Sequence, residues 1–305
     1  MIKSPVFSRT FFIHTASKQT PFRFHLFLFF ATLSLFSTTT STALPSHPLR
    51  DEVEKLDDAS CPGGFSFAVM ADSHNSAATM ERIIDKLLEL KPGFAVTAGD
   101  FTRDGKPEEY EQFLSLIPRA GIPWFTAPGN HEYRTPDGHT SPDGPKRYEK
   151  IFGRRDLFFD HCGWRFVILD AVAYDTLLPA QLKKLESALE GREGRSAVFM
   201  HYPPSIIEHW EDGIFKSSAE RFMRILETRA VPYFFSGHIH IHDEKIIGPT
   251  TYIITGGAGD GLMDDYIPPE NFNSPSGGAF HHFILVTIDE NGVATHQVVK
   301  VDPEK

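Results

Sequence analysis

The chain has 305 residues, of which 41% are hydrophobic and 12% aromatic, enough to bury the core of one large domain or of two small ones. Its formal net charge is -10 at pH 7. An acidic surface repels a phosphate backbone, so the composition argues against tight, non-specific binding to nucleic acid.

The first 43 residues differ in composition from the rest of the chain. They hold four basic residues and no acidic residue, and the apolar stretch FHLFLFFATLSLF is followed by small residues around Ala43. This order is typical of a secretory signal peptide over residues 1–43 and predicts a secreted or periplasmic protein. The apolar stretch is about 13 residues long, whereas a membrane span needs about 20, so no transmembrane anchor is expected after cleavage. An uncleaved anchor is the alternative interpretation.

A linker is predicted between this segment and the folded part of the chain. Residues 44–60, LPSHPLRDEVEKLDDAS, are polar and contain proline, and one domain is expected over residues 61–305. Cys61 and Cys162 are too few for a disulfide scaffold. They could form a single bridge in an oxidising compartment, and the sequence leaves open whether they do.

From residue 65 onward, short apolar runs alternate with amphipathic segments. The predicted strands are FSFAVM (65–70), FAVTA (94–98), WFTA (124–127), FVILD (166–170), SAVFM (196–200) and YFFS (233–236). Between them apolar residues recur at helical spacing, as in Met80, Ile83, Ile84 and Leu87, and predict helices that face a core. The alternating order predicts a largely parallel sheet covered by helices. After residue 244 strands follow without helices, which predicts a second, antiparallel portion.

Residues of metal-binding types follow five of the predicted strands. In chain order they are Asp72 and His74, Asp100, Asn130 and His131, His201, and His238 and His240. Because the carboxyl ends of parallel strands meet at one edge of an α/β sheet, these segments would bring carboxylate, amide and imidazole groups together. Such a donor set suits Zn, Fe or Mn. Each motif is weak alone, but the five in this order predict a metal site.

The series DSH (72–74), GD (99–100), GNHE (129–132), His201 and GHIH (237–240) resembles that of the calcineurin-like metallophosphoesterase family. The resemblance implies an α/β fold in which a two-sheet β-sandwich is flanked by helices. It also implies two transition-metal ions, whose identity as Mn, Fe or Zn the sequence does not specify. By the same resemblance Asp72, His74 and His240 hold the first ion, Asn130, His201 and His238 hold the second, and Asp100 bridges them.

The function that this resemblance implies is hydrolysis of small phosphate monoesters or diesters. A hydroxide held between the two ions would attack phosphorus, and His131 would protonate the leaving alkoxide as a general acid. The alternative is a non-catalytic interaction domain on the same fold. All seven ligand positions and His131 are filled, which argues against that alternative. The sequence does not indicate the oligomeric state.

The segment GDFTRDG (99–105) departs from the family pattern. Many members carry an Asp three residues after the bridging Asp, and this second Asp orients the catalytic His. Here Arg103 stands at that position and Asp104 follows it, so either Asp104 or some other group orients His131. Arg103 could bind the substrate phosphate, for which a guanidinium is well suited, or it could be a solvated surface residue.

Several other polar residues receive structural interpretations. Glu132 is expected at most to support the site, and Asp170 to have a structural role although it ends a predicted strand. His242 is expected to be exposed, with a position in the cleft as the alternative. One histidine of the pair His281 and His282 is expected to face the core, because neighbouring residues of a strand point to opposite sides.

Overall fold

The structure is a computed structural model that describes residues 45–56, 61–135, 137–207, 210, 215, 217–259, 261–263 and 277–301. The predicted signal peptide lies outside the described residues. All described residues belong to one structural unit, Thr42–Lys305. Of the helices that are described, none is both long enough and apolar enough to cross a bilayer.

Helices and strands alternate through most of the described chain. The elements are α1 (Leu49–Glu54), β1 (Phe65–Met70), α2 (Ala77–Leu90), β2 (Phe94–Ala98), α3 (Pro107–Leu116) with a 3₁₀ turn (Ile117–Ala120), β3 (Trp124–Ala127), α4 (Gly144–Phe152), β4 (Leu157–His161), β5 (Trp164–Ile168), α5 (Pro179–Ala188), β6 (Ser196–Phe199), α6 (Ala219–Thr228), β7 (Tyr233–Ser236), β8 (His242–Ile247), β9 (Thr250–Thr255), β10 (His282–Ile288) and β11 (Ala294–Lys300). All six predicted apolar runs are strands, with bounds that agree within two residues.

The strands form two sheets. The first has the order β11-β10-β1-β2-β3, and the second the order β4-β5-β6-β7-β9-β8. Strands β1 to β3 pair in parallel, as do β5, β6, β7 and β9, while β4, β8, β10 and β11 pair antiparallel with their neighbours. The strands after residue 244 are thus largely antiparallel, as predicted, but they do not form a second portion of their own. Strands β8 and β9 complete the second sheet, whereas β10 and β11 extend the first.

Aromatic rings fill the space between the two sheets. Phe67 and Phe94 come from the first sheet, and Phe166, Phe199 and Phe235 from the second. The Phe67 ring centroid lies 5.3 Å from that of Phe166 and 6.3 Å from that of Phe235. Burying one such side chain stabilises the fold by about 1.5–3 kcal/mol. The contact between the two faces confirms the predicted two-sheet sandwich.

The helices begin and end at residues that suit helix termini. Helices α3 and α5 start with a proline, where its missing N–H costs nothing. In α3 the Glu109 side chain accepts the backbone N–H of Lys106 at 3.1 Å, which satisfies one of the free donors at that end. Helix α4 is capped by Gly153, which follows its last residue and whose φ of 79° lies in the left-handed region that glycine adopts readily.

Part of the predicted linker, residues 44–60, packs on the domain. Helix α1 lies within this segment, and Leu49 is completely buried. The Glu52 side chain is also buried and accepts the backbone N–H of Trp124 at 3.1 Å, at the start of β3. The polar composition was misleading because a charged residue here serves as a buried hydrogen-bond acceptor.

Cys61 and Cys162 form a disulfide bridge, which answers the question that the sequence left open. Cys61 precedes β1 in the first sheet, and Cys162 lies in the turn between β4 and β5 in the second. The bridge thus links the two sheets across 101 residues of sequence. A cross-link over so long a loop restricts the unfolded chain strongly.

Two buried histidines face each other where β8 and β10 begin. The expectation that one histidine of the 281–282 pair faces the core is confirmed by His282, which is fully buried. The expected exposure of His242 is wrong, because its ring packs 5.1 Å from the His282 ring between centroids. Burial lowers the pKa of His282 to about 3 and that of His242 to about 4.

These two histidines should make the protein less stable in acid. In the folded protein they stay neutral, whereas the unfolded chain binds protons below a pKa of about 6.5. The free energy of unfolding therefore falls as the pH drops from about 6.5 towards 3, by about 2–3 kcal/mol for His282 alone at pH 4.5. Denaturant unfolding at pH 7 and 4.5 should show a smaller acid loss in His282→Gln than in wild type. An equal loss in both proteins would contradict the prediction.

Candidate metal centre

The predicted site residues follow the carboxyl ends of strands in both sheets. The first sheet contributes Asp72 and His74 after β1, Asp100 after β2, and Asn130 and His131 after β3; the second contributes His201 after β6 and His238 and His240 after β7. The structure therefore brings all eight residues to one region, as predicted. The site spans the ends of two packed sheets, whereas the strand pattern alone suggested the edge of a single sheet.

Four of these residues adopt left-handed backbone conformations. Their φ angles are 62° for Asp72, 43° for His74, 53° for Asp100 and 72° for His238. A residue other than glycine in this region costs of order 1–2 kcal/mol, and such conformations cluster at functional sites. Each turns the chain sharply at or near the end of a strand.

Glycines allow these turns to approach one another closely. A Cβ atom at Gly129, in the GNHE segment, would lie 2.1 Å from Asp100 Oδ1. One at Gly237, in the GHIH segment, would lie 2.4 Å from Asp72 Oδ2. Both distances are far below van der Waals contact, so each motif needs its glycine to admit a carboxylate from a different segment.

Asp72, His74 and His240 form the first group of potential ligands. Their ligand atoms all lie within 4.8 Å of one another. His240 donates from Nδ1 to the carbonyl oxygen of Gly261 at 2.7 Å, so the lone pair of Nε2 faces Asp72 Oδ1 at 3.7 Å. Metal-binding histidines commonly donate their other N–H in this way.

His201, His238 and Asn130 form the second group. His201 is fully buried and donates from Nδ1 to the carbonyl oxygen of Ala98 at 3.0 Å, which leaves Nε2 directed into the site. The side-chain oxygen of Asn130 lies 3.0 Å from His201 Nε2 and 3.1 Å from His238 Nδ1. An oxygen atom thus faces two imidazole nitrogens, as expected for three ligands of one ion.

Asp100 lies between the two groups. Its Oδ2 atom is 3.4 Å from His74 Nε2 and 3.1 Å from His201 Nε2. Its Oδ1 atom accepts the backbone N–H of His131 at 2.8 Å. This is the position that a carboxylate shared by two ions would occupy.

The charges of the site favour cations. Burial raises the pKa of Asp72, although His201 and His240 oppose the rise. Burial acts in the same direction on Asp100, but His201, His74 and His131 together outweigh it, and the pKa of Asp100 lies well below its usual value. For His201, burial is outweighed by the two carboxylates and its pKa rises to about 9. A metal ion would displace the proton that His201 holds on its ligand nitrogen, because ligand atoms must be deprotonated.

The donor set fits two transition-metal ions. Two carboxylates, one amide oxygen and four imidazoles converge, and the imidazoles of His201 and His240 donate their outer N–H to backbone carbonyls. Such nitrogen and oxygen ligands suit Zn, Fe and Mn. Residues of this chain could therefore hold the implied ions without rearrangement of the fold.

Glu132 supports the site more extensively than the sequence suggested. Its side chain is fully buried and accepts four hydrogen bonds, from the backbone N–H groups of Asp100, Thr102 and Gly129 and from the Thr102 hydroxyl, all at 2.8–2.9 Å. Burial, together with the charge of Asp100, raises its pKa to about 7. Glu132 thereby holds the loops after β2 and β3 together.

His131 is oriented by a backbone carbonyl. Its Nδ1 atom contacts the carbonyl oxygen of Arg103. Asp104, the alternative candidate, is paired instead with Lys106 at 2.7 Å. The departure in the GDFTRDG segment is therefore compensated by the main chain of Arg103. The side chain of Arg103 is exposed, and its predicted contact with substrate stays a prediction.

Arg134 is a neighbour of His131 that the sequence did not single out. Its Nη1 atom lies 2.9 Å from His131 Nδ1. A proton on Nδ1 would be donated to the Arg103 carbonyl, whereas an N–H from Arg134 to Nδ1 would leave the ring proton on Nε2. The Nε2 atom is 3.8 Å from Asp100 Oδ2 and faces the site, so the second arrangement presents a donor there.

Distances alone would also allow His131 to be a ligand. The ligand atoms of His74, Asp100 and His131 lie within 4.8 Å of one another, and the rings of the two histidines are 4.2 Å apart. Burial lowers the pKa of His131 to about 4, although Asp100 opposes the shift. Metal content and kinetics of a His131 variant can separate the two roles.

Comparisons with known proteins agree with this geometry. A family model described as calcineurin-like phosphoesterase matches residues 65–242. A 3′,5′-cyclic-nucleotide phosphodiesterase of Nostoc is 26% identical over 197 residues, which cover 58% of this chain and 71% of the relative. A glycerophosphodiester phosphodiesterase of Enterobacter lignolyticus is 26% identical over 171 residues, covering 50% of this chain and 58% of that protein. The matches thus leave a substantial part of each relative uncovered.

A solved structure supports the same fold. A purple acid phosphatase from seeds of yellow lupin (Lupinus luteus) superimposes with a TM-score of 0.59 at 16% identity. The superposition covers 78% of this chain and 51% of the phosphatase. At this level of identity the similarity concerns the architecture of two sheets flanked by helices.

Proposed function

This chain belongs to the calcineurin-like phosphoesterase family, and on that premise we propose that it is a binuclear metal-dependent phosphoesterase. The observation that carries the proposal is the position of Asp100, whose Oδ2 atom lies within 3.4 Å of His74 on one side and His201 on the other. One carboxylate is thus shared by two groups of ligands, each of which draws residues from both sheets.

The residues divide into two ligand sets and a proton donor. Asp72, His74 and His240 would hold one ion, Asn130, His201 and His238 the other, with Asp100 common to both. Bound there, the two cations would lower the pKa of water and neutralise the negative charge of a phosphate ester. The buried Glu132 keeps the Asp100 and Asn130 loops at a constant separation.

His131 would act on the leaving group. Its Nε2 atom faces the site. As an imidazolium the ring would donate from Nδ1 to the Arg103 carbonyl and carry a second proton on Nε2, which could pass to the oxygen of the departing alcohol when the P–O bond breaks. The side chain is 13% exposed, so it remains accessible to a substrate that enters the site.

Diesters are the favoured substrates within this proposal. The relatives reported above are named as phosphodiesterases for cyclic nucleotides and for glycerophosphodiesters. The alternative in another functional class is a metal-binding interaction domain without activity. The decisive experiment is a screen of Mn-, Fe- and Zn-loaded protein against monoester and diester panels, with bound metal measured in the same samples. Two bound ions without any hydrolysis would favour the interaction domain.

Export is part of the proposal. The basic, acid-free lead with its short apolar stretch motivates it, and a Cys61–Cys162 bridge is a bond that persists in oxidising compartments. Amino-terminal sequencing of the mature protein should start near residue 44. A soluble cytoplasmic product that retains Met1 would contradict export and leave the phosphoesterase proposal untouched.

A further inference from the structure

Tyr133 connects the loop that carries Asn130 and His131 to the second sheet. This loop follows β3 of the first sheet, and the Tyr133 side chain is 1% exposed. The phenol donates a hydrogen bond to Asp170 Oδ2 at 2.9 Å. Asp170 lies two residues beyond the end of β5, in the second sheet.

Asp170 is held firmly by its own side of the fold. Its Oδ1 atom accepts the backbone N–H groups of Val172 and Ala173 at 2.9 and 3.1 Å. Its Oδ2 atom also accepts a hydrogen bond from Arg155 Nη1 at 2.6 Å. The carboxylate is buried and fully hydrogen-bonded, so it provides a rigid acceptor for the phenol of Tyr133.

Tyr133 is equally constrained on its side. Its backbone N–H donates to the carbonyl oxygen of Asn130 at 3.2 Å. Gly144, at the start of α4, packs against it so closely that a Cβ there would lie 2.7 Å from Tyr133 Cα. Any displacement of Tyr133 would therefore be passed to Asn130 and His131 through the turn that joins them.

The other hydrogen bonds of this loop join it to elements near the first sheet. Glu132 accepts from the loop after β2, and its backbone carbonyl accepts from Tyr110 on α3. Among the described hydrogen bonds of residues 129–135, those that reach the second sheet come from Asn130, which contacts His201 and His238, and from Tyr133. The contacts of Asn130 are those that an ion would replace.

We propose that Tyr133 and Asp170 are positioning residues, whose hydrogen bond sets the distance between Asn130 and the histidine ligands of the second sheet. The proposal rests on the binuclear site proposed above. It assigns a role in metal binding to a hydrogen bond between two residues that are not themselves ligands. Loss of a residue that orients metal ligands typically weakens metal affinity or activity by about 10–100-fold.

The test compares Tyr133→Phe with Tyr148→Phe. Tyr148 is also fully buried and hydrogen-bonded through its hydroxyl, but its partner is Thr126, which lies on β3 of the first sheet. Metal-free protein is titrated with Mn²⁺, and free Mn²⁺ is followed by electron paramagnetic resonance. We expect Tyr133→Phe to bind the second ion about 10–100-fold more weakly and to lose kcat with little change in KM. Tyr148→Phe should lower the melting temperature comparably and bind Mn²⁺ as wild type does.

Asp170→Asn breaks the same link from the other side. If both residues act through one hydrogen bond, the losses of affinity in the double variant should be smaller than the sum of the single losses. Should Asp170→Asn fail to fold, Tyr133→Phe decides the question alone, because it keeps the packed ring.

The titration separates this proposal from the proposed function. Wild-type protein that binds two Mn²⁺ ions but hydrolyses nothing would refute the phosphoesterase, and the comparison of variants would still be decisive. Wild-type affinity for both ions in Tyr133→Phe, an equal loss in Tyr148→Phe, or a wild-type protein that takes up no second ion would each overturn the positioning role.

Discussion

Replacing Asp100 with alanine is expected to remove both metal ions and to lower kcat by about 10³-fold or more. Asp100 Oδ2 lies between His74 and His201, so neither ligand group remains complete without it. Bound ions contribute several kcal/mol to stabilisation of a phosphoryl transition state, and 1.36 kcal/mol corresponds to a tenfold change in rate. Metal content is measured by plasma mass spectrometry and kcat on a diester at saturating substrate.

Asp104→Ala is the matched control for this variant. Asp104 lies four residues further along the chain, and its carboxylate pairs with Lys106 in a partly exposed position. We expect wild-type metal content and a change in kcat of less than about threefold, because this solvent-screened pair lies outside both groups of ligands. Circular dichroism should show that both variants are folded. An Asp100→Ala protein that keeps two tightly bound ions and full activity would exclude the bridging role.

Replacing His131 with alanine is expected to lower kcat by about 10²–10⁴-fold on an alkyl phosphate ester while both ions stay bound. Its Nε2 atom faces the site and can protonate a poor leaving group. A nitrophenolate leaving group scarcely needs a proton, so the loss on a nitrophenyl ester should be much smaller. Measurements of kcat on both ester types, together with metal content, test the prediction.

The exposed residue His139, in the same connecting segment, provides the control. His139→Ala should retain wild-type kcat on both esters because its side chain is solvated. Equal, small losses for His131→Ala on the two ester types would show that His131 is not the acid. Loss of one ion from His131→Ala would instead identify it as a ligand, which the distances to His74 and Asp100 also permit.

Much of the candidate site could be predicted because its signals are local. An apolar run followed by a polar residue marks the end of a strand, as at Asp72, Asp100 and His201, and the bounds of the strands follow from the same pattern. Two clusters of possible ligands in the structure, Asp72, His74, His240 and Asp100, His201, His238, hold residues that the family resemblance also groups together, and a third joins His74, Asp100 and His131. For these features, a few residues that are adjacent in the sequence are enough to make the prediction.

Features that depend on distant partners were decided only by the tertiary structure. Strands β10 and β11 follow one another without a helix, which predicted a second, antiparallel portion, yet β10 pairs with β1, more than 200 residues earlier in the chain. Polar composition predicted a linker where Glu52 is buried against Trp124. The pairing of Cys61 with Cys162 was likewise open until the two sheets were packed together.

The orientation of His131 was also decided only by the tertiary structure. The family pattern predicts a side-chain carboxylate beside His131, but the partner is the backbone carbonyl of Arg103, and every residue type has a backbone carbonyl. The Tyr133–Asp170 hydrogen bond likewise joins two residues that are 37 positions apart and carry no motif. Periodicity and turn signals report on neighbours along the chain, whereas these contacts arise only when two sheets pack face to face and bring separate loops within hydrogen-bonding distance.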